Sequence, residues 1–168
     1  MKTELRHRAR SAQNALFAVL LLACAALPAL GLGAELPPAA DLRSEAEQAF
    51  RKGGPLIILF SRDDCKYCAT IKRDYLKPLA SHPRHRDRVV VRQINQDSSA
   101  ALIDFRGEAT THARFADGEK IRLFPVVAFY GPNGKRLAAP IVGARLPDFY
   151  QSYLDDAIEQ SVAALRGR

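Results

Sequence analysis

Two cysteines separated by two residues, Cys65 and Cys68, are the side chains of this sequence best suited to chemistry. Thiol–disulfide exchange needs one thiolate exposed at neutral pH and a second thiol close enough to release the mixed disulfide. Two cysteines on the first turn of a helix meet both needs, with Cys65 as the attacking thiol and Cys68 as the resolving thiol. A bridge that closes so short a loop restricts the unfolded chain very little, so a purely structural reason for the pair is weak.

Charged residues beside the pair affect how easily Cys65 ionises. The unpaired N–H groups and the dipole at a helix N-terminus favour negative charge, so we expect the pKa of Cys65 to fall below the value of about 8.5 for a free cysteine. Lys66 acts in the same direction because it places a positive charge next to the nucleophile. Asp63 and Asp64 act in the opposite direction.

A pair of this spacing is also half of many zinc sites, which need two further ligands. His82 and His85 are spaced by two residues and could supply them, with His112 as a spare. The two histidines lie in a basic loop next to a proline, and a pair that follows a buried strand is unusual for a zinc knuckle. The redox interpretation is therefore favoured, and the zinc module remains an alternative.

The elements that must position the cysteines follow from apolar periodicity and from turn residues. Leu56 to Phe60 is a continuous apolar run, which predicts a central strand covered on both faces. A helix beginning at the cysteines and a second strand would complete a right-handed parallel crossover. The predicted elements are a linker at 36–38, a helix at 42–52 capped by Asp41, strands at 56–60 and 89–94, a helix from Tyr67 to Pro83 that Pro78 kinks or ends near Lys77, a strand or helical turn at 101–105, a helical stretch at 110–116, a strand at 124–130, a hairpin turn at 131–134 with a partner strand at 136–142, and a closing helix at 147–165.

The first 34 residues differ from the rest and predict a targeting segment. A basic start leads into an apolar stretch from Ala15 to Leu32, as in a secretory signal peptide. About 20 apolar residues also suffice to span a bilayer, so an uncleaved membrane anchor is the alternative. A third possibility is a lipoprotein-like sequence ending at Cys24, which would carry a lipid after processing. Without this leader, Cys65 and Cys68 are the only cysteines of the chain.

Composition sets the class of protein. The chain has 168 residues, of which 48% are hydrophobic, enough for one packed domain and unlike a disordered protein. The net charge of +7 owes part of its size to the leader, and residues 35–168 carry 21 Lys or Arg against 17 Asp or Glu, a net +4. The densest basic run, from Arg84 to Arg92, has no interleaved aromatics and favours a solvated loop over a nucleic-acid surface.

The order of the elements, the Cys65-Lys66-Tyr67-Cys68 motif after an apolar strand, and Phe124-Pro125-Val126 opening a later strand resemble thioredoxin. The resemblance covers residues 40 to 165 and is most similar to the small exported thioredoxin-related proteins of bacteria. It implies an α/β fold of three layers, with a central mixed sheet and helices on both faces, over a domain at 35–168. Residues 1–34 would be a signal peptide or N-terminal membrane anchor.

By the same resemblance, the Phe124-Pro125 bond is cis, and Lys66, Tyr67, Phe124 and Pro125 contact the substrate. The implied function is a periplasmic reductase of protein or small-molecule disulfides that needs no cofactor, metal or nucleic acid. Its partners would be periplasmic protein thiols and a membrane thiol-reducing carrier, with membrane attachment only through an uncleaved leader. A disulfide oxidase or isomerase, and a non-catalytic zinc-binding or chaperone-like module, are the alternatives.

Two positions depart from thioredoxin. A Trp stands just before its first cysteine and a buried Asp six residues before it, where this chain has Asp64 and Leu59. Without the buried carboxylate, Asp63, Asp64, Glu119 or water would have to accept the proton of Cys68. The Lys-Tyr dipeptide also replaces the Gly-Pro of thioredoxin, so the direction of electron flow stays open at this point.

Overall fold

The computed structural model of the protein describes residues 35–144 and 147–167. The predicted leader, including Cys24, lies outside the described residues. None of the helices in the described ranges is long and apolar enough to cross a membrane.

Five α-helices, six strands, one π-helical turn and one 3₁₀ turn make up the described chain. They are α1 (Leu42–Arg51), β1 (Leu56–Ser61), α2 (Lys66–Ile71), a wide π-helical turn (Lys72–Leu76), α3 (Lys77–Ser81), β2 (Val90–Asn95), β3 (Ala101–Ile103), β4 (Ala109–Thr111), α4 (His112–Gly118), β5 (Val126–Tyr130), a 3₁₀ turn (Pro132–Gly134), β6 (Ile141–Val142) and α5 (Pro147–Arg166). The Asp41 side chain caps α1 by accepting a hydrogen bond from the Ser44 N–H at 2.9 Å, as predicted.

The main sheet has the strand order β2-β1-β5-β6, so β1 is an interior strand, as its unbroken apolar sequence predicted. It pairs in parallel with β2 and antiparallel with β5. All six residues of β1 are buried. Because β1 and β2 are parallel, their carboxyl ends meet at one edge of the sheet, and the segments that follow Ser61 and Asn95 are neighbours.

Alternate side chains of β1 enter two different cores, which makes the three predicted layers. Leu56, Ile58 and Phe60 pack on one face against α1 and α4, whereas Ile57 and Leu59 pack on the other. The second core is completed by α2, α3 and α5, through the buried residues Ile71, Leu79, Leu154, Ile158 and Val162. The predicted α/β architecture, a mixed sheet with helices on both faces, is confirmed.

The segment predicted as a linker packs on the domain and pairs with β2 through one isolated bridge, between Pro38 and Gln93. Leu36 is 3% exposed and packs in the second core. The Ala39 N–H donates to the Gln93 carbonyl and the Gln93 N–H donates to the Pro37 carbonyl, both at 2.9 Å. Prolines tolerate this edge position because an edge residue need not donate from both sides. The prediction of a linker was wrong because Pro37 and Pro38 indicated a connecting segment, whereas Leu36 is buried in the core.

Pro78 distorts its helix without ending it. Proline has no N–H to donate and its ring crowds the carbonyl four residues earlier, here that of Asp74. The wide turn at Lys72–Leu76 lies immediately before it, and the helix then resumes as α3 as far as Ser81. A wide turn inserts one extra residue, which separates the ring from that carbonyl. The helix therefore reaches Pro83 almost as predicted, with its irregularity before the proline.

The stretch at 95–117 contains a hairpin that the sequence did not reveal. β3 pairs with β4 in a separate two-stranded sheet. The turn between them is held by Asp104, whose carboxylate accepts hydrogen bonds from the Arg106 and Glu108 N–H groups at 2.8 and 2.9 Å. The helix predicted from Thr110 begins only at His112, because Thr111 is its cap and accepts a bond from the Arg114 N–H.

The strand predicted at 136–142 is present only as the two-residue strand β6, Ile141–Val142. A 3₁₀ turn at Pro132–Gly134 follows β5, and Arg136 forms only one isolated bridge, with Tyr130. Regular pairing returns only at β6, where Ile141 and Val142 face β5. Pro140 cannot donate to a ladder, which explains why pairing resumes after it.

Candidate active site

Cys65 and Cys68 lie where the predicted strand gives way to the predicted helix. β1 ends at Ser61, a three-residue loop follows, and Cys65 is the N-cap residue of α2. Its backbone is extended, with φ −93° and ψ 90°, and its sulfur accepts a hydrogen bond from the Cys68 N–H at 3.1 Å. The sulfur of Cys65 therefore occupies the place where an N-cap oxygen would satisfy the unpaired donors of the first turn.

The two sulfurs are joined in a disulfide, with 5.1 Å between the Cα atoms. Their environments differ: Cys65 is partly exposed, whereas Cys68 is only 2% exposed and belongs to the core side of the helix. An incoming sulfur must approach the disulfide along its axis from outside the protein, so Cys65 is the sulfur within its reach.

The Phe124-Pro125 peptide bond is cis, as the resemblance implied. Pro125 is buried and directly precedes β5, whose first residue, Val126, faces Phe60 near the end of β1. The bond thus lies at the edge of the sheet from which the cysteine loop leaves. The Arg62 guanidinium is 5.9 Å from the centre of the Phe124 ring, so the loop and the proline segment are in contact.

The side chains predicted to meet substrate are available at this edge. Lys66 is exposed, Tyr67 is 65% exposed, and Phe124 is half-buried against the first core. Sequence reasoning missed two further apolar side chains that flank the cis bond, Leu123 and Val142, which are 66% and 44% exposed. In the sequence, the apolar pair Leu123-Phe124 directly before Pro125 is the feature that could have indicated this apolar surface.

Sequence reasoning also missed a network that fixes the cysteine loop, and we call it the loop clamp: Arg62, Asp63, Asn95 and Asp97. The Asn95 amide donates to the Asp63 carboxylate and accepts from the Asp97 N–H at 2.9 Å. Asp97 in turn accepts from the Asp63 N–H at 3.0 Å and lies 3.5 Å from the Arg62 guanidinium. The clamp connects the segments that follow β1 and β2, which parallel pairing brings together.

The position six residues before Cys65, where thioredoxin has a buried Asp, is occupied here by Leu59. This leucine is fully buried in the second core. Among the proposed substitutes, Glu119 is engaged elsewhere: its carboxylate accepts hydrogen bonds from the Tyr130 hydroxyl at 2.7 Å and from Arg136 at 2.5 Å. Tyr130 faces Leu56, at the end of β1 remote from the cysteines. Burial raises the pKa of Tyr130 far above its ordinary value, so this network keeps a neutral phenol. Asp63 is held by the loop clamp and Asp64 is exposed.

The structure does not bring the two cysteines together with His82, His85 or His112 as the ligands of a zinc ion. The cysteine sulfurs are bonded to each other, and His85 lies 3.3 Å from Asp155 of α5. His112 is buried, with one ring nitrogen accepting from the Asn95 N–H at 3.2 Å and the other 2.8 Å from the Ala39 carbonyl. Within 35–144 and 147–167, no group of three or more His, Cys, Asp or Glu is placed to hold a metal ion.

Comparison with known families gives a match to the thioredoxin-like domain over residues 42–158. Comparison with curated protein sequences gives no significant match. Among solved structures, Trxlp from Edwardsiella tarda is 21% identical with a TM-score of 0.47 and covers 69% of this chain and 98% of its own. A poplar thioredoxin h is 16% identical with a TM-score of 0.48, covering 70% and 95%. The periplasmic thioredoxin SoxS from Paracoccus pantotrophus is 14% identical with a TM-score of 0.45, covering 64% and 98%.

The family model spans most of the chain, and it includes both the cysteine pair and the cis bond. The disulfide at a helix N-terminus supplies the chemistry that the motif predicted. The chain therefore belongs to the thioredoxin-like domain family and is a thiol–disulfide oxidoreductase.

Proposed function

We propose that this protein is an exported reductase that reduces protein or small-molecule disulfides in the periplasm, with Cys65 as the attacking thiol and Cys68 as the resolving thiol. The observation that carries the proposal is the unequal burial of the two sulfurs at the start of α2, beside the cis Phe124-Pro125 bond. The basic and apolar leader supports export.

In the reduced protein, the Cys65 thiolate attacks one sulfur of a substrate disulfide and expels the other as a thiolate, which leaves a mixed disulfide. Cys68 then loses its proton and attacks the Cys65 sulfur. The intramolecular disulfide re-forms and the second substrate sulfur leaves as a thiolate. Two electrons have passed from the protein to the substrate, and a dithiol carrier in the membrane would return them by the reverse exchange.

Local structure supports these roles. The Cys68 N–H that points at the Cys65 sulfur in the disulfide state can stabilise a thiolate there after reduction, as can the other free donors of the first turn. Tyr67, Leu123 and Val142 offer exposed apolar surface around the site for an unfolded or extended substrate segment. Cys68, enclosed by the second core, stays protected from competing oxidants until the mixed disulfide forms.

Insulin reduction tests the activity, and the equilibrium reduction potential of the Cys65/Cys68 couple tests the direction. A reductase should accelerate insulin precipitation by dithiothreitol and have a potential near about −270 mV. A potential near about −120 mV would instead identify an oxidant. Absence of exchange with any dithiol would contradict the enzyme and favour a non-catalytic domain.

A further inference from the structure

Opposite the cysteines, the domain carries a concentration of positive charge, which we call the basic pole: Lys52, Arg84, Arg86 and Arg88. These residues surround the starts of β1 and β2. The Lys52 ammonium donates to the Arg86 carbonyl at 3.2 Å, which connects the end of α1 to the loop at 82–89. The Arg88 carbonyl lies against Gly54, just before β1, so closely that a side chain at that glycine would collide with it.

The positive charge of this pole is only partly balanced. Arg86 lies 3.4 Å from Asp87, Arg88 lies 3.0 Å from Glu159 of α5, and Asp155 of α5 lies 3.3 Å from His85 in the same loop. Arg84 is exposed, and its guanidinium has no carboxylate within salt-bridge distance among the described residues. Lys52 is likewise exposed and contacts only a backbone carbonyl there.

At the cysteine end the charges are mixed. Arg62 and Lys66 are accompanied by Asp63, Asp64 and Asp97, two of which form the loop clamp with Arg62. Cations therefore outnumber the neighbouring carboxylates at the basic pole, with four against Asp87, Asp155 and Glu159, whereas Arg62 and Lys66 face three carboxylates at the cysteine end. An uneven distribution of this kind directs the association of a protein with an extended anionic surface.

The described chain also begins on the side of the basic pole. Pro38 pairs with Gln93 in parallel with β2, so the residues before Pro38 run back toward the start of that strand. Leu36 is buried in the same core as Val89, the residue that precedes β2. Glu35 lies 2.5 Å from the Lys72 ammonium, and Lys72 and Lys77 together lower the pKa of its carboxyl. The first described residues, Glu35 and Leu36, therefore lie toward the start of β2.

We propose that the basic pole is a docking surface for a bilayer containing anionic phospholipids, which holds the Cys65–Cys68 disulfide on the side of the domain that faces away from the lipid. The occupant follows from charge complementarity and from the point at which the apolar leader joins the domain: Leu32, the last residue of its apolar stretch, is only four residues before the buried Leu36. β1 has six residues, so the cysteines lie about 20 Å beyond the pole.

Amide hydrogen exchange on the full chain, with vesicles in excess, tests this surface. We expect the peptide covering 82–88 to exchange more slowly with vesicles of phosphatidylcholine and phosphatidylglycerol than with phosphatidylcholine alone. The peptide covering 62–68 should exchange equally in both. Salt at 0.5 M should remove the difference, because the Debye length becomes shorter than about 5 Å. A retained leader does not obscure the result, since it would anchor the protein equally in both lipids.

The double variant Arg84→Glu/Arg86→Glu should weaken the association of the pole with the anionic surface about 30-fold or more, since each basic side chain near such a surface contributes about fivefold. The matched control Arg43→Glu/Arg114→Glu makes the same charge change at exposed residues near the other ends of α1 and β2 and should keep the protection. Equal exchange in the two lipids, or protection that survives in the pole variant, would overturn the proposal. Protection of 82–88 by an acidic polypeptide but not by anionic vesicles would also overturn it and identify a protein partner.

Discussion

The two ends of this domain are built from the same strands but present different surfaces. At the carboxyl ends of β1 and β2, charges of both signs are tied into the loop clamp, and exposed apolar side chains surround a disulfide. At the amino ends of these strands lie Lys52 and three arginines, of which Arg86 and Arg88 are paired with carboxylates. The comparison shows that the two ends of one sheet differ in charge and in exposed apolar surface: one end holds the disulfide, and the other carries the side chains on which the proposed bilayer contact depends.

The largest expected effect follows from Cys65→Ser, which removes the exposed sulfur. Thiol–disulfide exchange should fall on the order of 1,000-fold or more, as when a catalytic nucleophile is removed. The Cys68→Ser variant should still attack substrate through Cys65 but should stop at the mixed disulfide. A gel run without reducing agent would show this species as a stable adduct. Insulin reduction measures the rate. The pole variant Arg84→Glu/Arg86→Glu should match the wild type, and a large loss there would break the separation between the two ends.

A smaller effect is expected from Asn95→Ala, which opens the loop clamp. The variant leaves the Asp63 carboxylate and the Asp97 N–H without their partner, and because both residues are exposed the free energy of unfolding should fall by only about 1 kcal/mol. Asn95→Asp should lose more, since it places a carboxylate against that of Asp63. Urea unfolding measures both variants. Gln151→Ala, which removes an exposed hydrogen bond within α5, is the control and should change stability very little.

Tyr67→Ala tests whether the exposed apolar surface recognises substrate. We expect the KM for a protein disulfide to rise up to about fivefold with kcat nearly unchanged, because the side chain provides binding area away from the sulfurs. Reduction of a small aromatic disulfide should stay at the wild-type rate. Tyr153→Ala removes a tyrosine of α5 that is 42% exposed and should alter neither. Equal losses for the large and the small substrate would instead assign Tyr67 to the chemical step.

The smallest effect concerns His85, near the basic pole. Burial lowers the pKa of His85 below its ordinary value of 6.5, and the charges of His82, Arg84 and Arg88 act in the same direction against the attraction of Asp155. The folded protein therefore binds this proton less readily than the unfolded chain does. Stability should decline as the pH falls below about 6.5, by at most about 1.4 kcal/mol per pH unit for one proton.

Urea unfolding at pH 7.5 and at pH 5.5 gives the test. The loss between the two pH values should be smaller in His85→Gln, which cannot take up the proton. His82→Gln changes an exposed histidine and should retain most of the dependence. An identical pH dependence in the wild type and in His85→Gln would contradict the role assigned to burial.

How much the sequence predicted depended on how local each signal was. The unbroken apolar run of β1, the Asp41 cap and the spacing of Cys65 and Cys68 are local, and each was confirmed. The hairpin of β3 and β4 was missed because its strands have three residues each and pair outside the main sheet. The buried Leu36 was missed because the other residues of its core lie at least 21 positions away in the sequence.

At the candidate active site, local sequence signals were again detected and long-range contacts were again missed. The two cysteines and the cis proline follow from a motif, whereas the loop clamp depends on which loops the sheet places side by side. Asn95 and Asp97 have no unusual pattern in the sequence, and only the parallel register of β1 with β2 brings them to Asp63. Contacts that a fold creates between distant segments, such as that of His112 with the Ala39 carbonyl, are beyond periodicity and turn rules.

Competition for a limiting alkylating agent most directly tests the unequal exposure of the two sulfurs. The reduced protein is treated with substoichiometric iodoacetamide at neutral pH, and the labelled peptides are quantified by mass spectrometry. Cys65 should be modified more than about tenfold faster than Cys68, because only Cys65 combines exposure with the free donors of a helix N-terminus. Equal labelling, or faster labelling of Cys68, would contradict the assignment of Cys65 as the attacking thiol.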